Sequence, residues 1–66
     1  MKFSLKASSD VHWIVLDESG AACGELSRLA TGYLATRTED KKIVKRFRMI
    51  DALRETFGEE NQYETE

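Results

Sequence analysis

The second half of the chain carries the pattern that most constrains its fold. Gly32-Tyr33-Leu34-Ala35-Thr36-Arg37 reads as a strand, Glu39-Asp40-Lys41-Lys42 as a polar turn, and Ile43-Val44-Lys45-Arg46-Phe47 as the partner strand. From Met49 the apolar period changes. Ile50, Leu53 and Phe57 recur at helical spacing and form one stripe with Met49 beside it, and Gly58 suits the position just past a helix end. A strand, a turn, a strand and a short amphipathic helix specify a small antiparallel sheet with a helix laid across it. They specify no chemistry.

The first half extends the sheet. Phe3, Leu5 and Ala7 alternate with Lys2, Ser4 and Lys6, the signature of a half-buried strand. Val11 to Leu16 is β-branched and aromatic, which suits a central strand. Ile14 and Leu16 point opposite to Trp13 and Val15, so one pair faces the side that a single helix does not cover. Asp17-Glu18-Ser19-Gly20 predicts a hairpin turn, with Gly20 in the left-handed conformation. Residues 21–31 admit two readings. Ala22, Cys23, Leu26, Leu29 and Ala30 have helical spacing, but Gly24 and Gly32 would each weaken a helix by about 1 kcal/mol. The strand reading is preferred, because it follows from the turn before it. The helical alternative gives a ββαββα order. Both are α+β, and the fold expected is an antiparallel β-meander of about four or five strands with one C-terminal α-helix packed on one face.

With 66 residues there is room for one domain, placed at 1–58. A chain this short buries only about 60% of its unfolded surface. A single cysteine, Cys23, closes no intrachain disulfide, and no zinc ligand set is present. A lone free cysteine suits a reducing compartment, and Lys2 and Lys6 precede no apolar run of signal-peptide length. The expected location is cytoplasmic. No membrane partner is expected, since the longest apolar run, Trp13-Ile14-Val15-Leu16, is too short to span a bilayer.

Charge is unevenly placed. Residues 34–57 hold seven Lys/Arg against four Asp/Glu, and residues 58–66 hold four Glu and no basic residue. The segment 59–66, with one apolar side chain, is expected to be a frayed acidic tail. Arg37, Lys41, Lys42, Lys45, Arg46 and Arg48 are candidate phosphate ligands, with Tyr33 and Trp13 as stacking surfaces. Alternation splits that set between two faces, and the net charge of −2 opposes a dedicated nucleic-acid binder.

Candidate catalysis rests on His12 and Cys23 as a base and nucleophile pair, with no orienting third group or oxyanion donor identifiable. Asp10 and His12 share a strand face but make no metal site by themselves. No catalytic residue, metal or cofactor is therefore assigned.

The segments Trp13 to Gly20, Gly32 to Arg37 and Phe47 to Gly58 resemble small β-meander-plus-helix proteins encoded by bacteriophages and mobile elements, including anti-CRISPR inhibitors. The likeness spans roughly 40 positions and is structural in kind. It implies a non-catalytic protein that binds a larger host protein or complex, as an inhibitor of a defence or nucleic-acid-handling machine. Trp13 is then a candidate contact residue, and Glu59 and Glu60 are steering charges. The alternative is a small nucleic-acid-binding protein using the basic segment 37–48. A homodimer is compatible with the uncovered sheet face.

Overall fold

The computed structural model describes residues 1–65. Five antiparallel strands follow one another as a meander: β1 (Lys2–Ser9), β2 (His12–Leu16), β3 (Ala22–Leu29), β4 (Gly32–Arg37) and β5 (Lys42–Arg46). Helix α1 (Met49–Phe57) then crosses back over the sheet, and the chain ends in β6 (Gln62–Thr65), paired parallel to β1. The spatial order is β5-β4-β3-β2-β1-β6. The α+β expectation holds, with one strand more than the sequence suggested.

Local chemistry explains the turns. The Asp17 carboxylate accepts from the Ser19 and Ala21 amides and from the Ser19 hydroxyl, and Gly20 closes the turn at φ 87°. Those bonds, the Ser19 hydroxyl first, hold the Asp17 carboxyl below its ordinary range. Residues 22–29 form a strand, which resolves the ambiguous stretch. Gly24 is what the helix reading could not accommodate. A Cβ there would lie 2.2 Å from the Thr36 carbonyl oxygen and 2.5 Å from Phe57 Cζ. Glycine therefore lets the helix descend onto the sheet at this point.

Alternation assigns the two faces. Phe3, Leu5, Val15, Leu26, Ala35 and Val44 are buried on the helix side. Ile14, Leu16 and Leu34 lie half-buried on the open side, as the opposed pairs in residues 13–16 predicted. The helix stripe is rotated from the expected one. Ala52, Leu53 and Thr56 are fully buried, while Met49, Ile50 and Phe57 are only half-buried. Ala52 belongs to the same buried cluster as Ala35, and the Phe57 ring sits over Gly24. The Thr56 hydroxyl is satisfied by donating to the Ala52 carbonyl at 2.7 Å. The helix begins at Arg48 without a side-chain cap and ends where the Gly58 amide donates to the Arg54 carbonyl at 2.8 Å.

The acidic segment departs most from expectation. A frayed tail over 59–66 is corrected for Gln62–Thr65, which is a strand, and Glu66 lies outside the described residues. One aromatic residue is enough to order it. Tyr63 stacks on Phe3 with ring centroids 5.4 Å apart, and its hydroxyl donates to the carbonyls of Gly58 at 2.7 Å and Leu53 at 3.2 Å. The Gln62 amide donates to the Met1 carbonyl at 3.0 Å. The folded unit therefore continues past residue 58.

Candidate functional site

Both ends of the sheet are edges, and β5 is the more exposed. In an antiparallel sheet, successive residues of a strand bond alternately to the neighbour on either side. The Thr38 amide donates to the Cys23 carbonyl, so the even-numbered residues of β4 face β3 and Tyr33, Ala35 and Arg37 face β5. Their partners are Arg46, Val44 and Lys42. The backbone N–H and C=O groups of Ile43 and Lys45 therefore point outward from the sheet. Ile43 is 65% exposed and Phe47, two residues beyond Lys45, is 83% exposed. From Lys41 to Arg48 five basic residues occur with no acidic one.

The basic residues do not converge on one surface. Arg37 donates to both Asp40 carboxylate oxygens and, at 2.7 Å, to the Thr56 carbonyl, which ties the β4–β5 turn to the helix. The same contact holds the Asp40 carboxyl down to about 2. Arg46 pairs with Glu55, Lys42 donates to the Glu55 carbonyl at 3.1 Å, and Arg48 lies 3.8 Å from Asp51. Among the described residues, Lys41 and Lys45 form no ion pair. Lys41 sits in the turn at φ 58°, and Lys45 shares the open face with Ile43.

Trp13 lies apart from the other candidate contacts. It is half-buried on the helix side, packed against the core, with its ring 6.4 Å from that of Tyr33. Glu59 and Glu60 are exposed in the turn between α1 and β6. Glu59 shares an open groove of about 570 Å³ with Arg46, Asp51, Arg54 and Glu55, whose mixed charges largely compensate one another.

His12 and Cys23 are on opposite faces. The Cys23 thiol packs beside the core and lies 3.5 Å from the Val15 carbonyl, and burial pushes its pKa up, away from the thiolate. His12 instead bridges Ser8 and Glu25 on the open face. The Ser8 hydroxyl contacts Nδ1, and Nε2 lies 2.8 Å from a Glu25 carboxylate oxygen. The sequence reading missed this relay, because it joins side chains from three strands whose register the residues alone do not set. Its order resembles nucleophile, base and carboxylate, but Ser8 and Glu25 are exposed and neither described groove includes them. What the arrangement does is tie the β1–β2 hairpin to β3. Among the described residues no group of three His, Cys, Asp or Glu is placed to hold a metal ion, and no helix is long and apolar enough to cross a membrane.

These features define a class: a small meander-and-helix domain with a short edge strand, β6, and a basic edge strand, β5. Comparison with protein-family models, characterised proteins and solved structures finds no match to the chain.

Proposed function

We propose that this chain is a non-catalytic protein-binding module that receives its partner along the β5 edge. One observation carries the reading. Outward backbone groups at Ile43 and Lys45 coincide with the exposed apolar side chains of Ile43 and Phe47. An edge that offers unpaired main-chain groups beside apolar contact area is suited to adding a strand from another chain. The narrower version, a phage or mobile-element inhibitor aimed at a larger host defence or nucleic-acid-handling complex, rests on the resemblance alone.

The alternative places nucleic acid on the same basic segment. It ranks second because Arg37, Arg46 and Arg48 are already committed to Asp40, Glu55 and Asp51. Phosphate binding would also have to fall steeply between about 50 and 200 mM salt.

Photo-crosslinking tests the reading. A photoreactive residue is placed at Phe47, or as a control at Ser19 in the distant β2–β3 turn, in cells of the source organism. A protein adduct from position 47 and none from position 19 is expected. Equal adducts from both positions, or an adduct with nucleic acid, would overturn it.

A further inference from the structure

We propose that the β5 edge selects an extended segment of the pattern apolar–x–acidic–x–apolar, added antiparallel as a seventh strand. The inference rests on the docking edge proposed above and names its occupant. Side chains along a strand alternate, so Ile43 and Lys45 of β5 present apolar and cationic chemistry on one face, and the exposed Phe47 follows just past the strand's last residue, Arg46. Cross-strand neighbours on one face are the unit of sheet pairing. A complementary strand therefore needs an apolar residue opposite Ile43 and a carboxylate opposite Lys45, and an apolar residue beyond these meets Phe47 where the chain leaves the strand. The intervening positions meet Val44, which is buried, and Arg46, which Glu55 already neutralises, so they carry little selection. Lys45 is the discriminating residue, as the strand's cation without an acidic or carbonyl partner among the described residues.

Charge also argues against the obvious alternative occupants. Two β5 edges brought together would oppose Lys42, Lys45 and Arg46 with themselves, and edge lysines are a common device against such self-pairing. The β6 edge of a second copy is acidic, but among the described residues it offers only Gln62 and Glu64 on the open face. Glu64 is held by Lys2 at 3.1 Å, and neither residue covers Ile43 or Phe47. An acidic strand with apolar flanks satisfies all three positions.

The probe is a synthetic peptide built around valine–threonine–glutamate–threonine–isoleucine, titrated into the isotope-labelled protein and followed by amide spectra and hydrogen exchange. Shifts confined to Ile43 through Phe47 are expected, with slowed exchange of the Ile43 and Lys45 amides. Replacing the central glutamate by lysine should weaken binding on the order of tenfold. Lys45→Glu should reverse that preference while keeping the spectrum of the fold. N-methylation of the glutamate amide should abolish binding, because in an antiparallel pair that group bonds directly to Lys45.

Equal affinity for the two peptides overturns the proposal, as does a response centred on Ile14 and Leu34. Identical β5 shifts with a duplex DNA oligonucleotide assign the edge to phosphate and overturn it. Concentration-dependent shifts without peptide assign the edge to a second copy and do the same. Protein crosslinks from position 47 alongside failed peptides remove the acidic-strand proposal and keep the docking edge. Failure of both removes the edge itself.

Discussion

The two edges of this sheet are built to opposite ends. β6 is the shorter, with four residues, yet each part of it is held. Tyr63 stacks on Phe3 and bonds the helix terminus, Gln62 bonds Met1, and Glu64 meets Lys2. β5 is tied down on its inner side by β4 and by the contacts of Arg46 and Lys42 with Glu55, but Ile43 on its open face and Phe47 just past its end stand in solvent. An edge strand is normally blunted by shortness, charge or cover. β6 uses the first two. β5 uses charge alone, and uses it beside two exposed apolar residues. The contrast lies in what each edge shows to solvent: β6 carries polar side chains beside the anchored Tyr63, and β5 carries Ile43, with Phe47 just past its end.

The largest effect on this contrast comes from the element that joins the edges. Helix α1 connects β5 to β6, and Leu53 is its most buried large side chain, 1% exposed. Leu53→Ala should cost about 2–5 kcal/mol. A domain of this size holds roughly 3–5 kcal/mol in reserve. Most of the variant should be unfolded at room temperature, as read by thermal melting, and an unchanged melting temperature would show that the helix is not what holds the edges.

Next in size is Tyr63→Ala, which removes the anchor of β6 only. Loss of a half-buried ring and two hydrogen bonds should cost about 2 kcal/mol. Hydrogen exchange should rise at the β1 and β6 amides and stay level at Val44 and Arg46. A uniform rise over the whole sheet would mean that the edges are not independent.

How much of this was legible in the sequence depends on how local the signal is. The hairpin at Asp17–Gly20 and the helix end at Gly58 are set by neighbouring residues, and both were readable. So were Leu53 as a core residue and the division of Ile14 and Leu16 from Trp13 and Val15. The sixth strand was not, because Tyr63 is ordered by Phe3, sixty positions away, and nothing around it signals that contact. The helix stripe was misjudged for a related reason. Hydrophobicity ranks Ile50 and Phe57 above Ala52 and Thr56, yet Ala52 and Thr56 are the fully buried ones, and Phe57 reaches the sheet only where Gly24 leaves room for its ring. The basic residues were all visible. Their commitment to Asp40, Glu55 and Asp51 was only partly so: the i,i+3 pairs are local, whereas the Arg46–Glu55 pair spans from strand to helix.

A third variant separates stability from recognition. Ile43→Thr keeps a β-branched residue on an exposed edge, so stability should move by no more than about 0.5 kcal/mol. Partner binding should nonetheless weaken several-fold, as measured by titration with the acidic peptide. Unchanged binding would confine recognition to Lys45 and the backbone. A large loss of stability would make β5 a structural edge like β6.

The smallest expected effect is a pH dependence confined to the β5 side. Asp40 sits in the β4–β5 turn with its carboxyl lowered to about 2, chiefly by the hydrogen bonds from Arg37. The unfolded chain returns it to about 3.9. A carboxyl lowered on folding stabilises the native state above its unfolded pKa, and that contribution disappears as pH falls through the folded value. The pair is largely solvent-exposed, so the contribution is small. Asp17, lowered in the opposite turn, titrates in the same direction, so the whole-protein acid curve mixes the two. The difference between wild type and Asp40→Asn isolates one of them. Melting temperatures compared from about pH 5 to pH 2 should show that difference largest at the upper end and shrinking through the window between about 4 and about 2. A constant difference across the window would mean that Arg37 holds the turn through the Thr56 carbonyl alone. In that case the β5 side, like β6, is anchored by contacts indifferent to acid.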